Sequence, residues 1–417
     1  MRVVILGAGV IGVTSAWYLR QAGHEVTVVE RQSAPGLETS FANGGQISVS
    51  HAEPWANPAA PLQTLKWLGR QDAPLLFRPR ADFNQWLWGA RFLFECLPQR
   101  ARDNARQILS LALYSAAELK ALRRATGIAY DELARGILSF YTDQREFERA
   151  VTLADSMRAW GCIREARTAQ QCVAIEPALH TAQSRLAGGI FAAGDESGDA
   201  HVFTQKLAAL CAGQGVLFRY SHAVRGLRSA GGSAAGVEVI GPKGGLEVLS
   251  ADSYIVALGS YSAPLLRRVG IRVPVYPVKG YSVTLPAGPR HDAPTVSLTD
   301  EGHKLVFSRL GGRLRIAGTA ELAGYDMEIN RIRCEAIMRR VFELFPNAGE
   351  RDRAEYWAGL RPATPGNVPL IGRTRYPNLY LNTGHGTLGW TLACGSGRAI
   401  ADIVSGTRPE ADFQFMG

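Results

Sequence analysis

Three glycines, two acidic-or-basic neighbours and one isolated arginine are the residues whose types and spacing suggest chemistry first. Gly7, Gly9 and Gly12 stand as G-x-G-x-x-G inside "RVVILGAGVIGVTSAWYLRQAGHEVTVVER". The first glycine suits a tight turn, the second lets backbone approach a pyrophosphate, and the third lets helix and strand pack closely. Val10 and Ile11 lie in the same turn, and the N-terminus of the following helix attracts phosphate charge. Glu30 closes the next strand, where a carboxylate can hold a ribose hydroxyl, and Arg31 stands beside it. A carboxylate there repels a 2′-phosphate, so the unit points to FAD or NAD rather than NADP. Arg361 poses a different question. It is the single charge in "YWAGLRPATPGNVPLIG", and such a guanidinium needs an anion. The carboxylate of an α-amino acid, gripped by two parallel hydrogen bonds, is one answer. A structural pair with Glu355 is the other.

Three further segments could meet a long ligand. "ETSFANGGQIS", Glu38 to Ser48, is rich in small polar residues. Its Ser40, Asn43, Gly44, Gly45, Gln46 and Ile47 can lie along a cofactor with amides exposed, although an ordinary surface loop has the same composition. "SYIVALGSYS" reads as a buried strand followed by Ala257 and Gly259, where backbone can approach the cofactor again. "LYLNTGHGTLGWTLACGSGRAIADIVSG" reads as a strand, a glycine-rich loop and a helix beginning near Leu388. Gly384, Gly386, Thr387, Leu388, Gly389, Trp390 and Thr391 would bring a helix N-terminus to the electron-rich end of a reduced flavin. His385, between two glycines, is placed for close approach to a ligand. Tyr281, His303 and Lys304 are candidates to line a pocket or bond a substrate amine. Ordinary packing or a surface position is the alternative for each.

The elements that must position these residues are legible in outline. The strand Val3 to Leu6, a helix from Val13 to about Gln21 and the strand Val26 to Val29 make one β-α-β unit. "DESGDAHVFTQKLAALCAGQGVLFRYSHAVRGL" reads as turn, helix and strand, with Asp199 as the helix cap. Helical spacing fills "ARQILSLALYSAAELKALRRATG", and strand alternation marks "KGYSVTLP" and "KLVFSRLGGRLRIAGTAE".

Composition sets the limits. A chain of 417 residues, 46% hydrophobic, can bury a large core in two or three units. The formal charge is +9, carried mostly by arginine, without a dense basic block. That argues against nucleic acid and fits an anionic membrane surface better. Cys96, Cys162, Cys172, Cys211, Cys334 and Cys394 show no C-x-x-C pair, and neither they nor the histidines have metal-ligand spacing. Reduced, buried thiols in a cytoplasmic protein are the expected reading. Met1-Arg2 runs straight into a strand pattern, without a signal-peptide pattern, and no apolar run is long enough to span a membrane.

Taken together, "GAGVIG", "TSFANGGQIS", "DESGDAHVFTQKLA", "ALGSYS", "VYPVKGYSVTLP", "GLRPATP" and "LNTGHGTLGWTLACGSG" resemble the D-amino-acid oxidase and glycine oxidase superfamily of FAD enzymes. Within it, they resemble the bacterial D-amino-acid dehydrogenases over nearly the whole chain. The resemblance implies an α/β (α+β overall) fold: a discontinuous, Rossmann-like FAD-binding domain with a substrate domain of antiparallel sheet and helices. Residues 1–60, 186–270 and 360–417 would form the first, and 61–185 and 271–359 the second. It further implies oxidation of D-amino acids to 2-oxo acids and ammonia, by hydride transfer from Cα to flavin N5. Electrons would pass to a quinone or another respiratory acceptor at the inner face of the plasma membrane. By the same resemblance, Arg361 would take the family's carboxylate-binding place, Gln46 would lie near flavin N5, and the backbone of Val224 would meet the adenine. Two departures are plain: Gly366-Asn367 replaces the usual Asp-Gly after "TP", and His303-Lys304 replaces Tyr-Lys. An oxygen-using oxidase of D-amino acids, N-methyl glycine or cyclic imino acids is the alternative activity. A non-catalytic flavoprotein subunit is a third reading.

Residues of about 55 to 100 stand apart. Trp55, Trp67, Trp86 and Trp88 fall there, with Leu75, Leu76, Phe77, Phe83, Phe92 and Phe94. Lys66, Arg70, Arg78, Arg80, Arg91 and Arg100 are interleaved. Aromatic and basic residues together suit the headgroup boundary of an anionic membrane. Packing within the substrate domain accounts for them equally well.

Overall fold

Strand Arg2–Leu6 is buried at every residue but Arg2, because it runs through the middle of a sheet covered on both faces. The structure, a computed structural model, describes residues 1–67 and 69–417. Helix Val10–Gln21 and strand Glu25–Val29 complete the first β-α-β unit. Arg2–Leu6 pairs in parallel with Glu25–Val29 on one side and with Ser253–Val256 on the other. The six-stranded sheet runs Leu370–Arg373, Leu379–Thr383, Ser253–Val256, Arg2–Leu6, Glu25–Val29, Leu217–Arg219. Its strands thus come from three separate parts of the chain. On one face, helices Val10–Gln21, Ala200–Gly213 and Ala393–Val404 share a core that includes Leu19, Phe203, Leu207 and Ile400. On the other, the three-stranded sheet of residues 223–249 covers Leu6, Val29, Tyr254 and Leu381. Burial on both faces explains why these strands read as unbroken apolar runs.

The second large sheet has nine strands. Its order is Glu355–Ala363, Tyr276–Pro286, Arg313–Leu322, Leu305–Leu310, Ser297–Asp300, Ile137–Tyr141, Gly188–Ala192, Glu165–Arg167, with Leu75–Phe77 added beside Arg313–Leu322. Most pairs are antiparallel. Ser297–Asp300 with Ile137–Tyr141, and Leu75–Phe77 with Arg313–Leu322, are parallel. Helix Arg331–Leu344 packs Ile337, Met338, Val341 and Leu344 onto this sheet.

Two expected boundaries move. Strand Gly188–Ala192 belongs to the nine-stranded sheet, although it lies inside the range 186–270. Helix Pro98–Thr126, inside the range 61–185, buries Ile108, Leu109, Leu111 and Ala112 in the core of the nucleotide unit. Periodicity shows that a helix has a buried face, but not which neighbour buries it. The C-terminal helix also starts later than expected. Gly386–Leu388 is a short 3₁₀ turn, and the α-helix begins at Ala393.

Candidate active site

A cavity of about 740 Å³ runs between the two sheets. The glycine turn forms one wall. Gly7 has φ +103°, and a Cβ there would fall 2.6 Å from the Ala257 carbonyl oxygen. At Gly12 a Cβ would fall 1.9 Å from the Gly7 carbonyl oxygen, so only glycine allows this contact. Gly9 borders the cavity, and a Cβ there would only touch Ser40 Oγ, at 3.5 Å. Helix Val10–Gln21 has no side-chain cap and no acidic residue in its first turn. Its positive end therefore faces the cavity unneutralised, as a pyrophosphate site requires. Glu30 accepts from the Ala8 amide at 2.8 Å and the Gln32 amide at 2.9 Å. Burial pushes its carboxyl up, against those two bonds. Ser40 Oγ accepts from the Val10 amide at 3.0 Å, which ties the second loop to the first. These residues fit a dinucleotide.

The loop around Gly44 is held by the other sheet. Ser308 Oγ donates to the Gly44 carbonyl at 2.7 Å, and Arg315 donates to the Asn43 carbonyl at 3.2 Å. The Gln46 side-chain amide donates to Ser297 Oγ at 3.0 Å and Leu298 O at 3.2 Å. Gly44 is packed so closely that a Cβ would fall 2.5 Å from Val306 Cγ2. The expected cofactor loop thus doubles as the joint between the two sheets.

Arg361 sits in strand Glu355–Ala363, opposite Val278. Its guanidinium reaches the cavity across Gly280, donating to Thr319 O at 2.8 Å and Gly318 O at 3.5 Å. Among the described residues, no carboxylate pairs with it, Glu355 included. Burial, and then the like charge of Arg333, push its pKa down to about 10. A cation so placed is short of an anion.

His385 is buried, and its Nε2 shares a hydrogen bond with Ser396 Oγ at 2.9 Å. Burial lowers its pKa to about 3, so the imidazole is neutral. Tyr281 also lines the cavity, but its hydroxyl donates to the buried carboxylate of Glu321, and burial raises its pKa. Lys304 lines the cavity and donates to Glu301 Oε2 at 2.7 Å. Burial alone would raise the Glu301 carboxyl, yet nearby His51 and Lys304 outweigh it and hold it below the usual range.

His303 does not line the cavity. It is exposed and contacts Asp300 at 3.2 Å, so a role beside the substrate is corrected. The chain turns at His303-Lys304, where Lys304 has φ +53°; both side chains are about half exposed, and of the two only the lysine borders the cavity. Of the expected cofactor residues, Gly7, Gly9, Val10, Ile11, Glu30, Arg31, Ser40, Asn43, Gly44, Gly45, Gln46, Val224, Ala257, Gly259, Gly386, Thr387, Leu388, Gly389 and Trp390 line the cavity. Gly12, Ile47, Gly384 and Thr391 lie behind its wall. Ile47 is 1% exposed in the core, Thr391 Oγ1 accepts from the Ser48 amide at 3.0 Å, and a Cβ at Gly384 would meet Thr364 Cγ2 at 2.8 Å. Gly280, Thr319, Trp357 and Arg164 also line the cavity, and sequence reasoning did not single them out for it. Each is an ordinary strand or loop residue whose partner comes from far along the chain.

The chain matches the model of the family DAO, described as FAD dependent oxidoreductase, over residues 2–403. It is 57% identical over 416 residues to a D-amino acid dehydrogenase of Dechloromonas aromatica, covering 100% of each chain. It is 56% identical over 412 residues to a D-amino acid dehydrogenase of Paramagnetospirillum magneticum, covering 99% of this chain and 96% of the other. Its fold is similar to that of glycine oxidase from Geobacillus kaustophilus, with a TM-score of 0.73 at 22% identity over 99% and 96% of the two chains.

Proposed function

This chain belongs to the DAO family of FAD-dependent oxidoreductases, and from that premise we propose that it oxidises D-amino acids to 2-oxo acids and ammonia as a dehydrogenase. The similarity to D-amino acid dehydrogenases over the full chain supports this reading. The observation that carries it is Arg361: a guanidinium on the cavity wall with no carboxylate partner among the described residues.

The residues divide the work. The Gly7–Gly12 turn, Glu30 and the loop from Ser40 to Gln46 hold the cofactor. The chemistry FAD supplies when bound is acceptance of a hydride from the substrate Cα. Arg361 binds the substrate carboxylate and fixes where Cα lies, and orientation is most of what such a transfer requires. The amine must shed its proton before the hydride can leave. A cavity between two packed sheets favours that by desolvation, which lowers an ammonium pKa. Neutral His385 adds no positive charge to oppose the binding of the zwitterion, and no strong base is needed. The resulting imine hydrolyses to the 2-oxo acid and ammonia.

The acceptor is a quinone met at a membrane surface. Among the described residues no helix is long and apolar enough to cross a membrane. On helix Phe83–Glu95, however, Phe83, Trp86, Leu87, Leu93 and Phe94 face solvent, joined by Leu97 after it and by Leu62 and Leu65 on helix Ala60–Trp67. Exposed Lys66, Arg70 and Arg91 accompany them. The aromatic stretch is therefore split. Leu76 and Trp88 are buried, and strand Leu75–Phe77 pairs with Ala320–Leu322, so those residues belong to the fold rather than to a surface. Beneath the exposed helices the cavity extends past Trp55, Ala60, Trp67, Leu75 and Phe92, an apolar route suited to a lipid-soluble acceptor.

The test is anaerobic mixing of the FAD-loaded protein with matched D- and L-amino acids, read at the flavin band, followed by turnover with a dye acceptor. We expect bleaching by D isomers, turnover with dye, and little oxygen consumption. Equal bleaching by L isomers would overturn the substrate assignment, and steady oxygen uptake without dye would make the protein an oxidase.

A further inference from the structure

Thr319 has φ +53°, a left-handed backbone that a β-branched residue rarely adopts. The strand pairing shows why it is there. Tyr281 lies opposite Gly318, and Lys279 opposite Glu321, so Thr319 and Ala320 together face the single residue Gly280. This is a bulge, and bulges beside sites re-aim a strand. Here the bulge turns the Thr319 carbonyl out of the ladder and onto Arg361 Nη1 at 2.8 Å. Glycine would serve that purpose with less strain, because the carbonyl belongs to the backbone. The side chain of Thr319 adds nothing to that purpose, so its own surroundings matter. Its Oγ1 is buried without a hydrogen-bond partner among the described residues, and Thr319 lines the cavity beside Arg361. An unpaired buried hydroxyl is costly unless something meets it, and strain retained at a ligand site is a mark of use.

We propose that the Thr319 hydroxyl is a second donor to the substrate carboxylate, completing the grip of Arg361. The bulge gives one residue two tasks: its carbonyl holds the guanidinium in place, and its hydroxyl bonds the same ligand. The proposal rests on reading Arg361 as the carboxylate anchor.

The test is calorimetric binding of benzoate, a carboxylate with no Cα hydrogen to lose, to the FAD-loaded enzyme. Thr319→Gly relieves the left-handed strain and deletes the hydroxyl. We expect it to melt no lower than wild type yet bind benzoate roughly tenfold more weakly, as for loss of a hydrogen bond to a charged group. Thr319→Ser should recover most of the affinity. Thr319→Ala deletes the hydroxyl while keeping Cβ, and replaces the glycine variant should that one fail to fold. KM for a D-amino acid should rise in the glycine and alanine variants more than kcat falls. Wild-type affinity in both variants would overturn the proposal, as would a serine variant no better than alanine. Arg361→Lys is measured alongside. If it loses binding while the Thr319 variants do not, the Thr319 assignment alone fails; if it too binds normally, the anchor reading fails with it.

Discussion

Gly280 makes room for Arg361: a Cβ built on Gly280 would fall 2.2 Å from Arg361 Cζ. The guanidinium lies across the bare Cα of the neighbouring strand, on its way to the Thr319 carbonyl. Gly280→Ala would displace the end of a flexible side chain, not backbone. We expect the variant to fold and keep FAD while kcat/KM drops by roughly a hundredfold, the scale for a misplacement of about 1 Å. Unchanged kinetics would show that the guanidinium position does not matter.

Arg361→Ala removes the anchor itself. We expect FAD content to persist and kcat/KM to fall by about 2–5 kcal/mol-equivalents, the scale for a buried charge pair left unpaired. Arg361→Lys should lose much of the same, because an ammonium cannot offer two parallel bonds to one carboxylate. Steady-state kinetics on FAD-loaded variants decides this, and near-normal values for alanine would remove Arg361 from the site.

The glycines of the first turn should separate by their contacts. Gly9→Val projects into open cavity, so the variant should fold and fail to take up FAD, as read by flavin absorbance after reconstitution. Gly12→Ala puts a methyl 1.9 Å from the Gly7 carbonyl oxygen, so it should lower the melting temperature even without cofactor. A Gly9 variant that retains flavin would move the pyrophosphate elsewhere.

His385 should make stability fall in acid. Burial lowers its pKa to about 3 from an ordinary value of 6.5. Between those values the unfolded chain binds a proton that the folded one refuses. Stability is therefore whole above pH 6.5 and declines below it, by at most roughly 1.4 kcal/mol per pH unit until the folded pKa is reached. Asp195 acts in the opposite sense. Burial raises it to about 6 against its bonds from Ser50, so its protonation in the folded state favours folding in acid. Denaturant unfolding of wild type and His385→Asn from pH 7 to 4 checks this: the variant should show the shallower decline, and parallel curves would place a charged imidazole in the fold.

Liposome flotation tests the exposed aromatic helix. Phe83 is 77% exposed, Leu62 68% and Phe94 57%, so serine at Phe83, Leu62 and Phe94 should cost little stability. Wild type should float with anionic vesicles and release as salt rises. The triple variant should stay in solution with its dye-linked activity intact. Wild type that never floats would leave this face without a membrane role.

How far the sequence reached can be judged residue by residue. The β-α-β unit, the Asp199 cap, which accepts from His201 and Val202 amides at 2.9 and 3.2 Å, and the strand alternation in "KLVFSRLGGRLRIAGTAE", which forms strands Leu305–Leu310 and Arg313–Leu322, were all legible. Each depends on neighbours a few residues away, whose spacing is written directly in the chain. The helix after Gly389 was placed about one turn early, because a 3₁₀ turn and a helix start share the same local composition. His303 and Lys304 looked equivalent, and both side chains are about half exposed; what separates them is that only Lys304 borders the cavity, paired with Glu301.

The sequence by itself marked the nucleotide turn, because its three glycines and one acid lie within a single β-α-β unit at a spacing written in the chain, although Ser40 and Ala257 pack against it from further along. It also marked Arg361 as a charge in need of an anion. The tertiary structure alone decided what surrounds that charge. Gly280, Thr319 and Arg333 reach Arg361 from different strands and a helix, and their register follows from a bulge that local spacing does not reveal. The same holds for the aromatic stretch: its composition is uniform, but which residues are buried depends on the strand beside Ala320 and on the core around Tyr276. Contacts between segments far apart in the chain are set by packing, and packing decided the site.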